Sequence, residues 1–193
     1  MLSQLVQFFS DNNIFATRED IDLFQQHTYH NIVPKNTIIM QQSRPVEKLY
    51  FINKGILRLC RQHNNDDTTI AFIKNNEFAS TIIYLLNEEP SPCAIVTSTE
   101  VDLLYWKRSD FLYLKQHTAL ASLLETALTG ILLTWNQDRE VDKLSMDPKQ
   151  RYIKLLNTMP AGLQEVPAKH IASYLGIHTD SLSRIRKRLT KKY

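Results

Sequence analysis

Glycine is scarce in this chain of 193 residues, with only four in all. A Gly-rich phosphate cradle is therefore unavailable, and neither G-x-G-x-x-G nor G-x-x-x-x-G-K-S/T occurs. Cysteine is scarcer still. Cys60 and Cys93 stand far apart and outside any C-x-x-C pattern, too few for a disulfide framework or an all-cysteine metal site. No apolar run approaches the ~20 residues that a membrane span needs. The first residues lack the basic start and the cleavage site of an export signal. These absences predict a soluble, cytoplasmic protein with no membrane partner, no metal and no cofactor. Histidine is thin as well: His63 is the only one between Asn31 and Trp106. A metal-dependent barrel enzyme needs clustered His and carboxylate ligands on neighbouring strands, so the chain is expected not to be an enzyme. What is present is an ordinary globular composition, 43% hydrophobic and 22% charged.

Charge is divided unevenly along the chain. Residues 1–138 carry 11 Lys and Arg against 15 Asp and Glu, a net of −4; residues 139–193 carry 12 against 5, a net of +7. An acidic body with a short basic end is the asymmetry expected when one part meets a polyanion. The steepest segment, Arg184 to Lys192, reads equally well on charge alone as a solvated helix end whose cations complement the helix dipole.

Hydrophobic spacing divides the chain in the same place. Residues 1–30 read as short helices, with Leu2, Leu5, Val6 and Phe9 on one face. Thr17 and Asp20 stand at capping-box spacing. Between Asn31 and Trp106, short runs rich in Val, Ile, Leu, Tyr and Phe recur at 37–40, 48–52, 55–60, 68–73, 94–97 and 100–105. Turn-like segments at 53–55 and 64–67 separate them. Many short strands at even spacing predict an antiparallel jelly roll, with one short helical turn at 80–87. From Asp110 to about Ser145 the period is helical, with either Asp110 or Thr118 as the cap. Apolar residues on more than one side require two surfaces to pack against, the β domain and a second copy of the helix, with Leu120, Leu124, Ala127 and Ile131 as the dimer face. Burial of the whole helix in one monomer is the alternative. Asp147-Pro148 breaks the helix, because the residue before proline is pushed out of the α region.

The last segment is the most informative. Pro167 suits the first turn of a helix, whose inward side is Ile171, Ala172 and Leu175. Gly176 sits where that helix must end in a left-handed conformation. A second helix begins near His178 and Thr179, with Leu182, Ile185 and Leu189 facing the first. Two short helices joined through a central Gly are the helix-turn-helix signature. At 100° per residue, Asp180, Arg184, Lys187, Arg188 and Lys191 lie opposite the leucine stripe. Such a helix offers its first turns to base edges and its later cations to phosphates. Thr179, Asp180, Ser181 and Arg184 are the expected base readers. Lys169, His178, Lys187, Arg188 and Lys191 are the expected phosphate contacts. Arg184 can bond guanine O6 and N7, and Asp180 can accept from cytosine N4. The bland reading of Asp180 and Arg184 is an exposed ion pair worth ~0.3–0.5 kcal/mol.

The order of these parts resembles the Crp/Fnr family of bacterial transcription regulators. The likeness is strongest at Ile171, Ala172, Tyr174, Leu175, Gly176, Ile177, Asp180, Ser181, Leu182, Ser183, Arg184 and Ile185. It extends to Leu49, Tyr50, Phe51, Ile52, Gly55, Leu57, Arg58 and Leu59, and to Asp147, Pro148, Arg151 and Tyr152. The resemblance implies an α+β fold: an antiparallel jelly-roll like a cyclic nucleotide-binding domain (1–109), a long dimerisation helix (110–146) and a small helix-turn-helix domain (147–193). It further implies a homodimer on a palindromic double-stranded DNA operator, a small-molecule effector of unknown identity, and RNA polymerase as a further partner. Two departures stand out. In the segment Asn75, Asn76, Glu77, Phe78 the family's glycine is missing, and no Lys or Arg occurs between Lys74 and Lys107. A cyclic phosphate would find no cation there, so Glu77 and Phe78 mark a degenerate effector pocket and cyclic AMP is not expected to act. The chain also stops four residues after Leu189, short of the family's two-stranded wing. Fewer phosphate contacts are then expected per subunit. A sensing β-roll whose shortened helix-turn-helix docks another protein is the competing expectation.

Overall fold

The computed structural model describes residues 2–64, 66–159 and 162–190. Two helices lead, α1 (Ser3–Asp11) and α2 (Arg18–Gln26). Thr17 caps α2 through its hydroxyl, which accepts from the Asp20 backbone N–H, while the Asp20 carboxylate accepts from the Thr17 N–H. The strands follow: β1 (Tyr29–Val33), β2 (Ile38–Met40), β3 (Lys48–Lys54), β4 (Leu57–His63), β5 (Asp66–Ile73) and β6 (Phe78–Ala79), then helix α3 (Ile82–Asn87), β7 (Ala94–Thr97) and β8 (Val101–Lys107). Among the described residues these pair antiparallel in two four-stranded sheets, ordered β1-β8-β3-β6 and β2-β7-β4-β5. This is an antiparallel β-roll followed by helices, an α+β fold.

Leu49, Tyr50, Phe51 and Ile52 of β3 are all buried, as a strand covered on both faces requires. β1 is different: it lies at a sheet edge and four of its five residues are exposed. Gly55 closes the turn from β3 to β4 at φ +104°, and a Cβ there would strike the Glu100 carbonyl oxygen. The main core gathers Phe9, Phe24, Phe51, Trp106 and Phe111. Phe24 meets Phe9 and Trp106 edge-on, each pair at 6.1 Å.

Helix α4 (Arg108–His117) turns at Thr118 into α5 (Ala119–Ser145). Thr118 caps α5 by accepting from the Leu120 N–H at 3.0 Å, and its hydroxyl donates to the Asp20 carboxylate. Among the described residues no single helix is long and apolar enough to cross a membrane; the bent pair α4–α5 reaches that threshold together but packs on the β-roll through Phe111, Leu114, Leu120 and Leu124. Two of the four residues expected at the dimer face are thereby corrected. Leu120 and Leu124 are 1% and 0% exposed and belong to the chain's own core. Ala127 is half-buried against the same core, and Ile131 is exposed. The open apolar side of α5 is instead Leu123, Leu133, Val141 and Leu144.

Asp147 starts α6 (Pro148–Thr158) with a capping box to Gln150 and Pro148 in the first turn. A 3-10 turn (Gly162–Gln164), α7 (Ala168–Leu175) and α8 (Thr179–Thr190) complete the described chain. A second buried cluster joins Tyr152, Leu155, Met159, Leu163, Ile171, Leu175 and Leu182. Ile56, the residue just before β4, belongs to this cluster rather than to the β-roll core.

Candidate nucleic-acid interface

The α7–α8 pair has the geometry of a helix-turn-helix. Pro167 precedes α7 with φ −54° and ψ 135°, one position outside the helix where the first turn was expected. Gly176 ends α7 in the left-handed region at φ 68°, ψ 37°, and the Ile177 N–H reaches back to the Ala172 carbonyl at 3.0 Å. The His178 carbonyl then accepts from the N–H groups of Ser181 and Leu182, at 3.0 and 3.2 Å, to open α8. Leu182 is buried, and Ile185 and Leu189 are packed against the second cluster.

The opposite face of α8 carries the charge. Thr179, Asp180, Arg184, Lys187 and Arg188 are exposed, as are His178 and Lys169; Ser181 is half-buried. Asp180 and Arg184 form no ion pair, and among the described residues none of Arg184, Lys187 and Arg188 has a carboxylate within 4.0 Å. Lys191 lies outside the described residues. Arg186 is turned inward: its Nε donates to the Tyr152 hydroxyl at 3.0 Å and its guanidinium lies over that ring. The face is therefore a set of cations with free hydrogen-bond donors, suited to phosphate oxygens and guanine edges.

A polar seam fixes α7 against the β-roll. β5 is a sheet-edge strand, so its outward N–H groups have no strand partner. The Thr69 N–H donates to Ser173 Oγ at 2.9 Å, and that hydroxyl donates to the Asp67 carbonyl at 3.2 Å. Arg58, 5% exposed, donates to both Asp67 carboxylate oxygens at 2.6 and 2.8 Å and to the Thr69 hydroxyl at 3.2 Å. The hydrogen bonds from Arg58 hold the Asp67 carboxyl below its usual range. Beside them on α7, burial and then the Arg58 charge push the His170 imidazole down. Phe72 and Tyr174 pack ring to ring at 5.5 Å.

Sequence reasoning missed this seam. Arg58 carried a signal, a cation inside the apolar run Ile56, Leu57, Leu59. Its pairing with Asp67 lies within one hairpin, nine residues apart, whereas the reach of Ser173 to β5 is long-range and left no signal. Glu77, placed in a degenerate effector pocket together with Phe78, accepts from the Lys74 N–H at 3.1 Å, and burial raises its carboxyl above the usual range. Phe78 packs on Phe8, Phe51 and Trp106. His30 is bonded to Asp102 at 3.0 Å and His117 stacks on Tyr113. Among the described residues no group of His, Cys, Asp and Glu is placed to hold a metal.

Residues 31–118 match the family model of the cyclic nucleotide-binding domain. The fold as a whole is similar to that of several solved Crp/Fnr family regulators. FixK2 from Bradyrhizobium japonicum superposes with a TM-score of 0.75 at 17% identity, over 86% of this chain and 85% of that one. The c-di-GMP-responsive global regulator CLP of Xanthomonas campestris gives 0.69 at 16% identity, covering 91% and 93%. The catabolite activator protein of Thermus thermophilus gives 0.56 at 24% identity, covering 91% and 84%. No curated protein matches the chain in sequence. The β-roll is thus similar to a cyclic nucleotide-binding domain, and the chain as a whole shares its fold with these solved structures.

Proposed function

We propose that this chain is a sequence-specific DNA-binding transcription regulator of the Crp/Fnr kind, acting in the cytoplasm as a homodimer on a palindromic operator and independently of cyclic AMP. The observation that carries the reading is the outer face of α8, where Arg184, Lys187 and Arg188 stand exposed without a carboxylate partner above a buried Leu182. Residues 147–193 are the DNA-binding part and 1–109 the sensing part; the expected single helix over 110–146 is broken at Thr118, and its second piece, α5, is the dimer helix. Thr179, Asp180, Ser181 and Arg184 read bases, while Lys169, His178, Lys187, Arg188 and Lys191 hold phosphates. RNA polymerase belongs to the same reading as a downstream partner.

The dimer runs along the open side of α5. Leu123, Thr126, Gly130, Leu133 and Gln137 recur at three and four residues and are all exposed. A Cβ added at Gly130 would point into open space, with nothing beyond its own turn of helix within 4 Å. A mid-helix glycine costs about 0.5–1 kcal/mol relative to Ala, and close approach of a second helix gives it a use. Leu133→Asp should yield monomers in sedimentation with the melting of the β-roll unchanged; a persisting dimer assigns the interface elsewhere.

Gel-shift selection from a random palindromic library tests the whole reading. A recovered half-site whose preference at one base pair relaxes on Arg184→Ala supports it. A library that yields no half-site favours a protein-docking role for α7 and α8.

A further inference from the structure

A cavity of about 430 Å3 opens between β4, β5 and β6 of the β-roll, one side of α5, and the α6 and α7 helices. That volume lies within the ~300–1,000 Å3 of small-molecule sites. Its two ends differ in chemistry. Against the β-roll it is apolar, walled by Leu59, Phe78, Ile82 and Leu128. Trp135 lies midway. From Leu128 to Arg139 the helix advances about 16 Å, and there the lining becomes Arg139, Asp142, Arg151, Lys154 and Tyr174.

The charges at that end do not cancel. Lys154 is held by Asp142 at 2.6 Å. Arg139 lies over the Trp135 ring at 5.3 Å, and neither Arg139 nor Arg151 has a carboxylate within 4.0 Å among the described residues. Arg151 Nε is buried with no hydrogen-bond partner. A guanidinium cannot shed its charge, so Arg139 and Arg151 leave this end of the cavity with cations that a bound anion would pair. The Tyr174 phenol, raised in pKa by burial, keeps its proton and stays a donor. Counting Lys74, Lys143, Glu77 and Asp138, the charged side chains lining the whole cavity are five cations against three carboxylates.

We infer that this cavity binds an anionic amphiphile, an apolar body lying against the β-roll end with a single carboxylate received by Arg151, Arg139 and the Tyr174 hydroxyl. The two receiving cations, Arg139 and Arg151, are supplied by α5 and α6, in contrast to the β-roll stretch between Lys74 and Lys107, which has none. Because Leu155, Met159, Tyr174 and Leu175 wall the same cavity, the occupant touches the β-roll and the helix-turn-helix cluster at once. Its occupancy therefore biases how the two are held together. That regulatory consequence rests on the DNA-binding reading; the binding site itself does not.

Calorimetric titration of the full chain with dodecanoate, dodecylammonium, dodecanol and cyclic AMP tests the site. Dodecanoate should bind most tightly and change the Trp135 fluorescence, a change that Trp135→Phe removes without removing the heat. Arg151→Gln should weaken dodecanoate by about tenfold to a hundredfold, the scale of a lost charge-assisted bond, and leave dodecanol unchanged. Arg139→Gln should act in the same direction and serves where Arg151→Gln lowers the melting temperature. Equal binding of dodecylammonium, tighter binding of cyclic AMP, or dodecanoate affinity untouched in both arginine variants would overturn the inference. Operator affinity is then measured with and without dodecanoate. Bound dodecanoate on a chain that selects no operator keeps the site and removes the DNA reading; a selected operator with no dodecanoate heat does the reverse.

Discussion

Arg58 and Arg184 are the same side chain put to opposite uses. Arg58 is buried at the β5 edge, locked by two hydrogen bonds to Asp67 and a third to Thr69. Arg184 stands on the outer face of α8 with no carboxylate within 4.0 Å among the described residues. The first arginine has committed its donors to Asp67 and Thr69 of β5, the strand that α7 packs against through Ser173. The second still has all of its donors to offer. The difference separates scaffold from interface more sharply than net charge, since both lie in helix- or strand-forming stretches of mixed composition.

The widest gap between scaffold and interface should appear at Phe51. Phe51→Ala removes a fully buried ring from the main core and should cost about 3–5 kcal/mol in urea unfolding followed by Trp106 fluorescence. A cost under about 1 kcal/mol would mean that the aromatic cluster does not carry the β-roll. Next comes the arginine pair itself. Arg58→Met strands Asp67, which is partly exposed, so the cost should be about 2 kcal/mol rather than the full penalty of a buried lone charge. Arg184→Ala should stay within about 0.5 kcal/mol, because it leaves no partner behind. Equal losses in the two variants would erase the distinction drawn here.

The smallest effect is set by pH. His170 faces Arg58, Asp67 and Lys169, and burial with Arg58 lowers its pKa from the ordinary 6.5. The fold holds the neutral ring. Its contribution is therefore complete above the unfolded value and is lost as pH falls from there through the lowered folded value. Melting temperature recorded from about pH 8 to about pH 5 should fall in that window, and His170→Gln should flatten that part of the curve. An unchanged curve in the variant would remove His170 from the seam.

Much of the helix-turn-helix was legible because its signals are local. Gly176 in the left-handed conformation and the three- and four-residue spacing of Leu182, Ile185 and Leu189 are decided by neighbours in sequence. The strands of the β-roll were legible for a similar reason, except β6, only two residues long, and β1, whose exposed edge position leaves only Ile32 and Val33 as an apolar signal among Tyr29, His30 and Asn31. The facing of α5 was not legible. Its apolar residues cover two sides, and periodicity cannot say which side meets the chain's own core. Leu120 and Leu124 went to the β-roll because Thr118, hydrogen-bonded to Asp20, fixes the rotation at which the helix begins. In the seam, Arg58 and Asp67 are nine positions apart, but Ser173 meets β5 from 106 positions away, beyond the reach of any local pattern.

The most direct test of the account is fluorescence anisotropy of the wild-type chain and Arg184→Ala, each titrated with a selected operator and with the same operator altered at one base pair. The wild type should prefer its operator, and Arg184→Ala should lose about 1–3 kcal/mol of that preference at a single position while still binding both. Identical titrations for the two proteins on both duplexes would contradict the claim that the basic face of α8 reads DNA.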